Sequence, residues 1–574
     1  MRMGLAFFAL VLLGRLFYLQ VIKHASYARQ ASNEHTRKDA LPATRGELFV
    51  HDGSGGISPI ALNQTLNVLS ADPRFVKDQP ATAQKLAAIT GGSAAAYEKS
   101  MASATEYAKL ADRIPNDQAA KIKALGLTGI WLVAQDYRTY PEGSLAAQTL
   151  GFVNADGTGQ YGIEQYLNPE LTGTPGQLSG KTDTNGVPIY TSGNIDKQPI
   201  DGKSYVLTID RNVQAEVEQA LADRVKAVNA KSGSAVVLDP NTGAVIAMAT
   251  YPTFDPNHYA NVSNYGVFLN QVVDGQFEPG SGLKVFTMAA GLDQGKVTPD
   301  TTYNDPHCYT IDTRQVCDAA TDLPGPNRSM TVVLRDSLNT GVMFVLRSLG
   351  GDPNKFTLAG KKTLYDYFTN HFGFGTSTGI EQANEVPGIV NLPSNAAGND
   401  VNYANMSFGQ GIDVTMIQMV AAMGAIANGG KLWQPHLVDA VMNDDGTQSR
   451  IAPKLEKDHV ISAAADAQLN QMLQVVAKHG SGYIADAMNP NYSIAGKTGT
   501  AQIPKSDGTG YIDGANIGSF IGYAPATNPK FVLMVRINEP DVTGYAETTT
   551  VPLFGQICTW LFNYYGIAPT GQIK

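Results

Sequence analysis

The sequence is poor in cysteine and in charge, and carries no excess of basic residues. Three cysteines in 574 residues cannot scaffold a disulfide-rich fold, and none sits in metal-finger spacing. A formal net charge of -9 and an isoelectric point near 5.5 exclude nucleic acid as the main ligand. There is no GxGxxG strand-to-helix unit, P-loop or internal repeat, so nucleotide-binding and solenoid readings fall away. What remains is ordinary for a globular protein with a large core, 43% hydrophobic and 16% charged. At roughly 150 residues per domain, the length allows two to four domains.

The first 22 residues stand apart. An apolar run over residues 3–14 is interrupted by Arg15 and resumes over 16–22. As one helix this stretch reaches about 30 Å, the thickness of a bilayer core. No small-residue cleavage site follows, which favours an uncleaved anchor over residues 1–23. Arg2 alone precedes the span, whereas Lys23, Arg29, Arg37, Lys38 and Arg45 follow it, against the positive-inside rule for an exported body. A cytoplasmic tail upstream of residue 1 would reconcile the two, and the exported orientation is the expectation.

Two further modules follow, at 24–200 and 201–574. In the first, residues 24–75 read as short strands and turns. Residues 82–127 are alanine-rich and read as helical, broken at Gly91-Gly92 and Pro115. Strands and loops return from 129 to 201, with a turn at Thr184-Asn-Gly186, so a helical lobe is inserted in a mixed strand region. In the second, 205–209 reads as a strand and Asp210 as the N-cap of a helix with Val213, Val217, Leu221 and Val225 on one face. Residues 234–238 and 244–249 read as a hairpin, 518–523 and 530–535 as strands, and the chain ends in an apolar helix from about 550. Strands at both ends with helices between predict an α+β domain, one antiparallel sheet beside a helical lobe.

Cys558 lies in an apolar stretch and reads as a core residue. Cys308 and Cys317 flank an alternating segment. If Asp312-Thr313 forms a two-residue turn, the cysteines fall directly opposite, about 4.5 Å apart at Cα, where a disulfide is feasible in an oxidising compartment. Asp-Thr is a poor turn pair, and the competing zinc site on His307 and both cysteines lacks a fourth ligand.

The chemistry gathers in three short motifs. Glu278-Pro279-Gly280 leads into Ser281-Gly282-Leu283-Lys284 and an apolar run to Leu292. Pro279 and Gly280 place the helix start at or just after Ser281, where free N–H groups suit a developing oxyanion. Lys284 lies one turn on along the same face of a buried helix, and burial without a partner lowers an amine toward a usable base. The plain alternative is a capping serine with a snorkelling lysine. The second motif is Ser337-Leu338-Asn339, whose serine alone reads as a helix cap. Ser192-Gly193-Asn194 has the same pattern but precedes the nucleophile. The third is Lys497-Thr498-Gly499-Thr500: Gly496 and Gly499 let a backbone edge approach another chain, and Lys497, Thr498 and Thr500 suit a carboxylate. An edge strand guarded by its lysine explains the lysine but not the glycines.

In this order, 56 and then 160 residues apart, the motifs match the set of the penicillin-binding proteins and serine β-lactamases. The chain closely resembles the class B penicillin-binding proteins, the monofunctional peptidoglycan transpeptidases. The likeness extends to Arg45-Gly46, Arg138-Thr-Tyr-Pro141, Gly162-Ile-Glu164, Leu238-Asp-Pro-Asn-Thr-Gly243 and Ser407-Phe-Gly-Gln-Gly411. It departs at Gly282, where the family usually has threonine, and at the glycine-rich stretch 51–59.

The resemblance implies an N-terminal membrane helix, a non-catalytic pedestal and a C-terminal transpeptidase domain of the penicillin-recognising fold, outside the cytoplasm. It implies Ser281 as nucleophile, Lys284 as its base, Ser337 as proton relay and Asn339 as a hydrogen-bonding partner of the substrate backbone. Lys497 supplies a positive field, Thr498 and Thr500 hold the terminal carboxylate, and Gly499 belongs to the substrate-binding edge between them. Stem peptides and β-lactams are the expected ligands, a multispanning glycan polymerase the expected partner, and no metal or organic cofactor is expected. The main rival is a hydrolase of the same fold, a carboxypeptidase or β-lactamase. The deacylating pattern of the latter is spelled by Glu164-Gln-Tyr-Leu-Asn168, more than a hundred residues before Ser281.

Overall fold

The structure is a computed structural model, describing residues 2–27, 36–102, 105–181, 194–319, 325–505, 510–542 and 546–569. The Thr184-Asn-Gly186 turn and Ser192-Gly193 lie outside these. The chain divides into two units, Met1–Gly46 with Pro169–Ser204, and Glu47–Asn168 with Tyr205–Lys574.

In the first unit, a helix over Arg2–Phe17 continues as a π-helical turn over Tyr18–Ile22. The span Met3–Ile22 has a mean hydropathy of 2.1 and none of it is buried, so it is long and apolar enough to cross a membrane. A three-stranded sheet joins Thr36–Leu41, Gly176–Lys181 and Asn194–Lys197.

The second unit contains two large sheets among several two-stranded ones. A seven-stranded one runs Gln448–Arg450, Val438–Met442, Ser204–Asp210, Leu48–His51, Ile57–Ala71, Ala108–Ile114, with Ile130–Thr139 also paired to Ile57–Ala71. The helices Gln79–Thr90, Ala94–Met101 and Asn116–Ala124 form the expected inserted lobe, packing Leu86, Tyr97, Met101 and Ile122 onto Leu69 and Ile114. Two local expectations fail here. Ala108–Ile114 is a strand inside the stretch read as helical, because pairing with Ile57–Ala71 overrides the helix-favouring alanines and lysine. Ile57–Ala71 is itself one fifteen-residue strand rather than several short ones. The strand expected at 205–209 forms as Ser204–Asp210, but it pairs in parallel with Leu48–His51 in this sheet.

The second sheet is five-stranded and antiparallel: Val245–Tyr251, Ser232–Leu238, Phe531–Asn538, Tyr511–Ala524 and, at one edge, Ala495–Pro504. Period-2 alternation divides Phe531–Asn538 between two cores. Phe531, Leu533, Val535 and Ile537 meet the helices Arg211–Ala227 and Val551–Tyr564 on one face, through Val213, Val217, Leu221, Phe554 and Cys558. On the other face lies the helix Met416–Ala427, apolar almost all round and started by a Thr415/Gln418 capping box. The sheet thus buries both faces and leaves one edge, Ala495–Pro504, free to meet the turn that carries Ser281.

Candidate active site

The turn that carries Ser281 begins one step earlier than the sequence suggests. Gly280–Leu283 is a 3-10 turn, and the α-helix proper is Lys284–Asp293. Gly280 takes φ +54, a conformation open to glycine, and a Cβ there would lie 2.4 Å from the Thr500 carbonyl oxygen. Gly499 faces it across the edge strand, where a Cβ would lie 2.5 Å from the Pro279 oxygen. These two glycines bring the first and third motifs into backbone contact. The loop Ser407-Phe-Gly-Gln-Gly411 clamps the turn from the other side. Gly280 N–H donates to the Gly409 oxygen at 2.9 Å, and Thr287 Oγ1 to the Ser407 oxygen at 2.8 Å. The buried Glu278 carboxylate accepts from Gly411 N–H at 2.6 Å and Tyr511 Oη at 3.2 Å.

Neither plain alternative holds for this motif. The helix caps are Pro279 and Leu283, without side-chain cap bonds, so Ser281 is not a cap. Lys284 is 0% exposed and does not snorkel.

Ser337 closes the preceding helix, Met330–Arg335, through a Schellman arrangement. Its N–H donates to Leu334 O at 3.3 Å, and Leu338 N–H to Val333 O at 2.9 Å. That places Ser337 at φ +58, where glycine or asparagine is usual. The strained backbone directs its hydroxyl toward two lysines. Lys284 Nζ donates to Ser337 Oγ at 3.2 Å and to the Ser337 carbonyl oxygen. Lys497 Nζ donates to Ser337 Oγ at 3.1 Å, to Thr498 O at 3.2 Å and to Thr498 Oγ1 at 3.3 Å.

Counting valences separates the two amines. Lys497 has three acceptors for the three N–H bonds of an ammonium. Lys284 has two, so a neutral amine there keeps one lone pair free. Burial lowers both pKa values: Lys497 to about 8, and Lys284 well below its ordinary value, where the Lys497 charge adds to the desolvation and Asp318 opposes it. Ser337 Oγ accepts from both lysines, which fills its lone pairs and leaves its own proton to be given away.

Ser281, Ser337, Asn339, Thr498 and Thr500 line one cavity of about 510 Å³, with Phe408, Gln410 and Glu547 on its walls. Lys284, Lys497 and Gly499 lie behind that lining. Besides Glu547 on the cavity wall, the sequence reading missed three residues that support this site. Ser481, from the loop after the helix Ala463–His479, meets Thr498 Oγ1 at 2.5 Å. Glu278 fixes the turn as described, and Asp318 lies close enough to act on Lys284. Only Glu278 carried a signal, as part of the lead-in to Ser281. Cys308 and Cys317 pair directly and are disulfide-bonded, which removes the sulfurs that a zinc site on His307 would use. Glu164 is buried against Arg138 at 2.6 Å, so it is spent on an ion pair and serves no deacylation.

Comparison with known proteins agrees with this geometry. Residues 233–559 match the penicillin binding protein transpeptidase domain, and residues 40–207 the penicillin-binding protein dimerisation domain. The chain belongs to the class B penicillin-binding proteins. Among relatives, stage V sporulation protein D of Bacillus subtilis is 31% identical over 97% of this chain and 83% of its own length. The peptidoglycan D,D-transpeptidase FtsI of Escherichia coli is 29% identical over 97% and 90%. Penicillin binding protein 3 of Mycobacterium tuberculosis, solved with aztreonam, superposes with a TM-score of 0.70 at 26% identity, covering 93% of this chain and 99% of that one. As a member of this family, the chain combines a dimerisation-type module with a transpeptidase module and an N-terminal apolar helix suited to anchoring.

Proposed function

We propose that this protein is a serine-type peptidoglycan D,D-transpeptidase that cross-links stem peptides through an acyl-enzyme on Ser281. The observation that carries the proposal is the sharing of Ser337 Oγ between Lys284 and Lys497 at the cavity that Ser281 lines. Ser281 Oγ–H gives its proton to the free lone pair of Lys284 Nζ while Oγ attacks the carbonyl between the two terminal D-alanines. Backbone N–H groups of Ser281 and Thr500 receive the oxyanion, each such donor contributing about 3 kcal/mol. The C–N bond breaks as Ser337 passes its proton to the departing amine and is reprotonated from Lys284. Asn339 aligns the substrate backbone, Thr498 and Thr500 hold the terminal carboxylate in the field of Lys497, and Gly499 lets the peptide approach the strand. An acceptor amine then attacks the ester, and the proton it sheds returns to Ser281.

A β-lactam presents a strained amide to the same hydroxyl and acylates it. Residues 24–200 serve as the pedestal and 201–574 as the catalytic domain. The N-terminal helix holds the protein by a single pass with the catalytic domain outside the cytoplasm, beside a multispanning glycan polymerase. The test is the intact mass after incubation with benzylpenicillin: one adduct on the wild type, none on Ser281→Ala. Loss of the wild-type adduct within seconds would instead favour a hydrolase.

A further inference from the structure

Lys284 and the Ser337–Asn339 turn have a buried charged neighbour that the scheme above does not use. Asp318 is buried, and directly follows Cys317 at the closed base of the hairpin formed by Cys308–Ile311 and Arg314–Cys317. Its backbone N–H donates to His307 O at 2.9 Å, which holds it at that base. Its carboxylate accepts from Thr340 N–H at 2.9 Å and from Thr340 Oγ1 at 2.7 Å. One residue earlier on each side, Asn339 Nδ2 donates to the Cys317 carbonyl at 2.8 Å. Residues 317 and 318 thus grip residues 339 and 340 in step.

The grip has a physical reason. The helix Asn339–Leu349 starts after Leu338, which has no side chain able to cap it. Its first N–H groups need acceptors, and a carboxylate suits the positive end of a helix. Asp318 supplies that acceptor from another part of the chain. With one amide proton committed to Cys317, the Asn339 side chain presents its remaining N–H and its oxygen in a fixed direction. The same carboxylate acts through space on Lys284, favouring the ammonium form, while Lys497 opposes it. Burial raises the Asp318 pKa, Asp305 adds to the rise, and the Thr340 hydrogen bonds and Lys284 oppose it; Asp305 also meets Thr340 Oγ1 at 3.0 Å and pairs with Arg328 at 3.6 Å.

We propose that Asp318 is a positioning residue for the acylation step: it caps the Asn339 helix, thereby aiming the Asn339 amide, and brings a buried carboxylate near the amine of Lys284. The proposal rests on the roles given above to Lys284 and Asn339. Asp318→Asn keeps an oxygen for the Thr340 N–H and removes the charge, whereas Asp318→Ala removes both. The experiment is the pH profile of acylation by a fluorescent penicillin for the two variants and the wild type, with Ser281→Ala as control and thermal unfolding as a check on folding.

Without the carboxylate, Lys284 holds its proton less tightly. The acid limb should therefore move down by about one pH unit in Asp318→Asn, within the range an opposite charge produces. On that limb this is a roughly tenfold faster reaction at fixed pH. The plateau should fall more than tenfold in Asp318→Ala and distinctly less in Asp318→Asn. A limb in Asp318→Asn that superimposes on the wild type overturns the electrostatic role, and equal plateaus for the two variants overturn the capping role. Absence of labelling in the wild type itself would sink the transpeptidase reading instead. If Asp318→Ala does not fold, the limb of Asp318→Asn still decides the electrostatic role.

Discussion

Arg138 and Glu164 lie in the first module at 2% and 0% side-chain exposure, joined at 2.6 Å, with Asn63 taking another Arg138 donor and Tyr140 a Glu164 oxygen. Lys284 and Lys497 are buried as deeply, yet among the described residues neither forms an ion pair, and their acceptors are hydroxyls and carbonyls. An unpaired buried cation costs several kcal/mol, so it persists only where something other than stability selects it. The pair in the first module is architecture. The two lysines fit the proposed chemistry: burial pushes Lys284 toward a neutral amine that can take a proton, while Lys497, at about 8, keeps its charge at neutral pH.

The sharpest way to break this contrast is to remove half of the architectural pair. Glu164→Ala leaves Arg138 charged and buried without its carboxylate, a change that costs about 3–5 kcal/mol. We expect denaturant unfolding to show that loss, while the penicillin acylation rate per folded molecule stays within twofold. A large drop in that rate would mean that Glu164 belongs to the chemistry after all.

Lys497 offers the converse test through pH. Its pKa is about 8 in the folded protein and 10.5 in the unfolded chain. Between those values the unfolded chain keeps the proton and the folded one has released it. The unfolded state binds more protons there, so stability rises with pH. Below about 8 both states are protonated and the full cost of the buried charge is present. Relative to Lys497→Met, which does not titrate, the wild type should gain up to about 3 kcal/mol from pH 8 to 10.5. A flat difference across that range would show that Lys497 is solvated or paired in solution.

The same contrast explains what could be read from the residues alone. The burial of Lys284 and the close approach at Gly499 were legible because an apolar helix encloses its lysine and glycines in a strand need a close neighbour, whereas Ser281 alone read as a cap and only the three motifs together pointed past that. The hairpin 308–317 was legible from its alternation and the register of its cysteines. Asp318 was not: its importance comes from Thr340 and Lys284, which only the folded chain brings to it. Ser481 reaches Thr498 by the same kind of long-range meeting. The strand Ala108–Ile114 was misread because its composition favours a helix, and pairing partners are not local.

The smallest effect concerns backbone strain. Ser337 sits at φ +58 at a helix end where glycine would be free of strain, so its presence costs about 1–2 kcal/mol against a residue without a Cβ. Ser337→Gly and Ser337→Ala both delete the hydroxyl shared by the two lysines, and both should acylate far more slowly than the wild type. They differ only in the Cβ. The glycine variant should therefore be the more stable by about 1 kcal/mol in thermal unfolding, the entropy gained by its unfolded chain offsetting part of the relief. Equal stabilities would mean that the turn relaxes once the hydroxyl is gone, and that the lysines, rather than the Schellman geometry, hold Ser337 in its left-handed conformation.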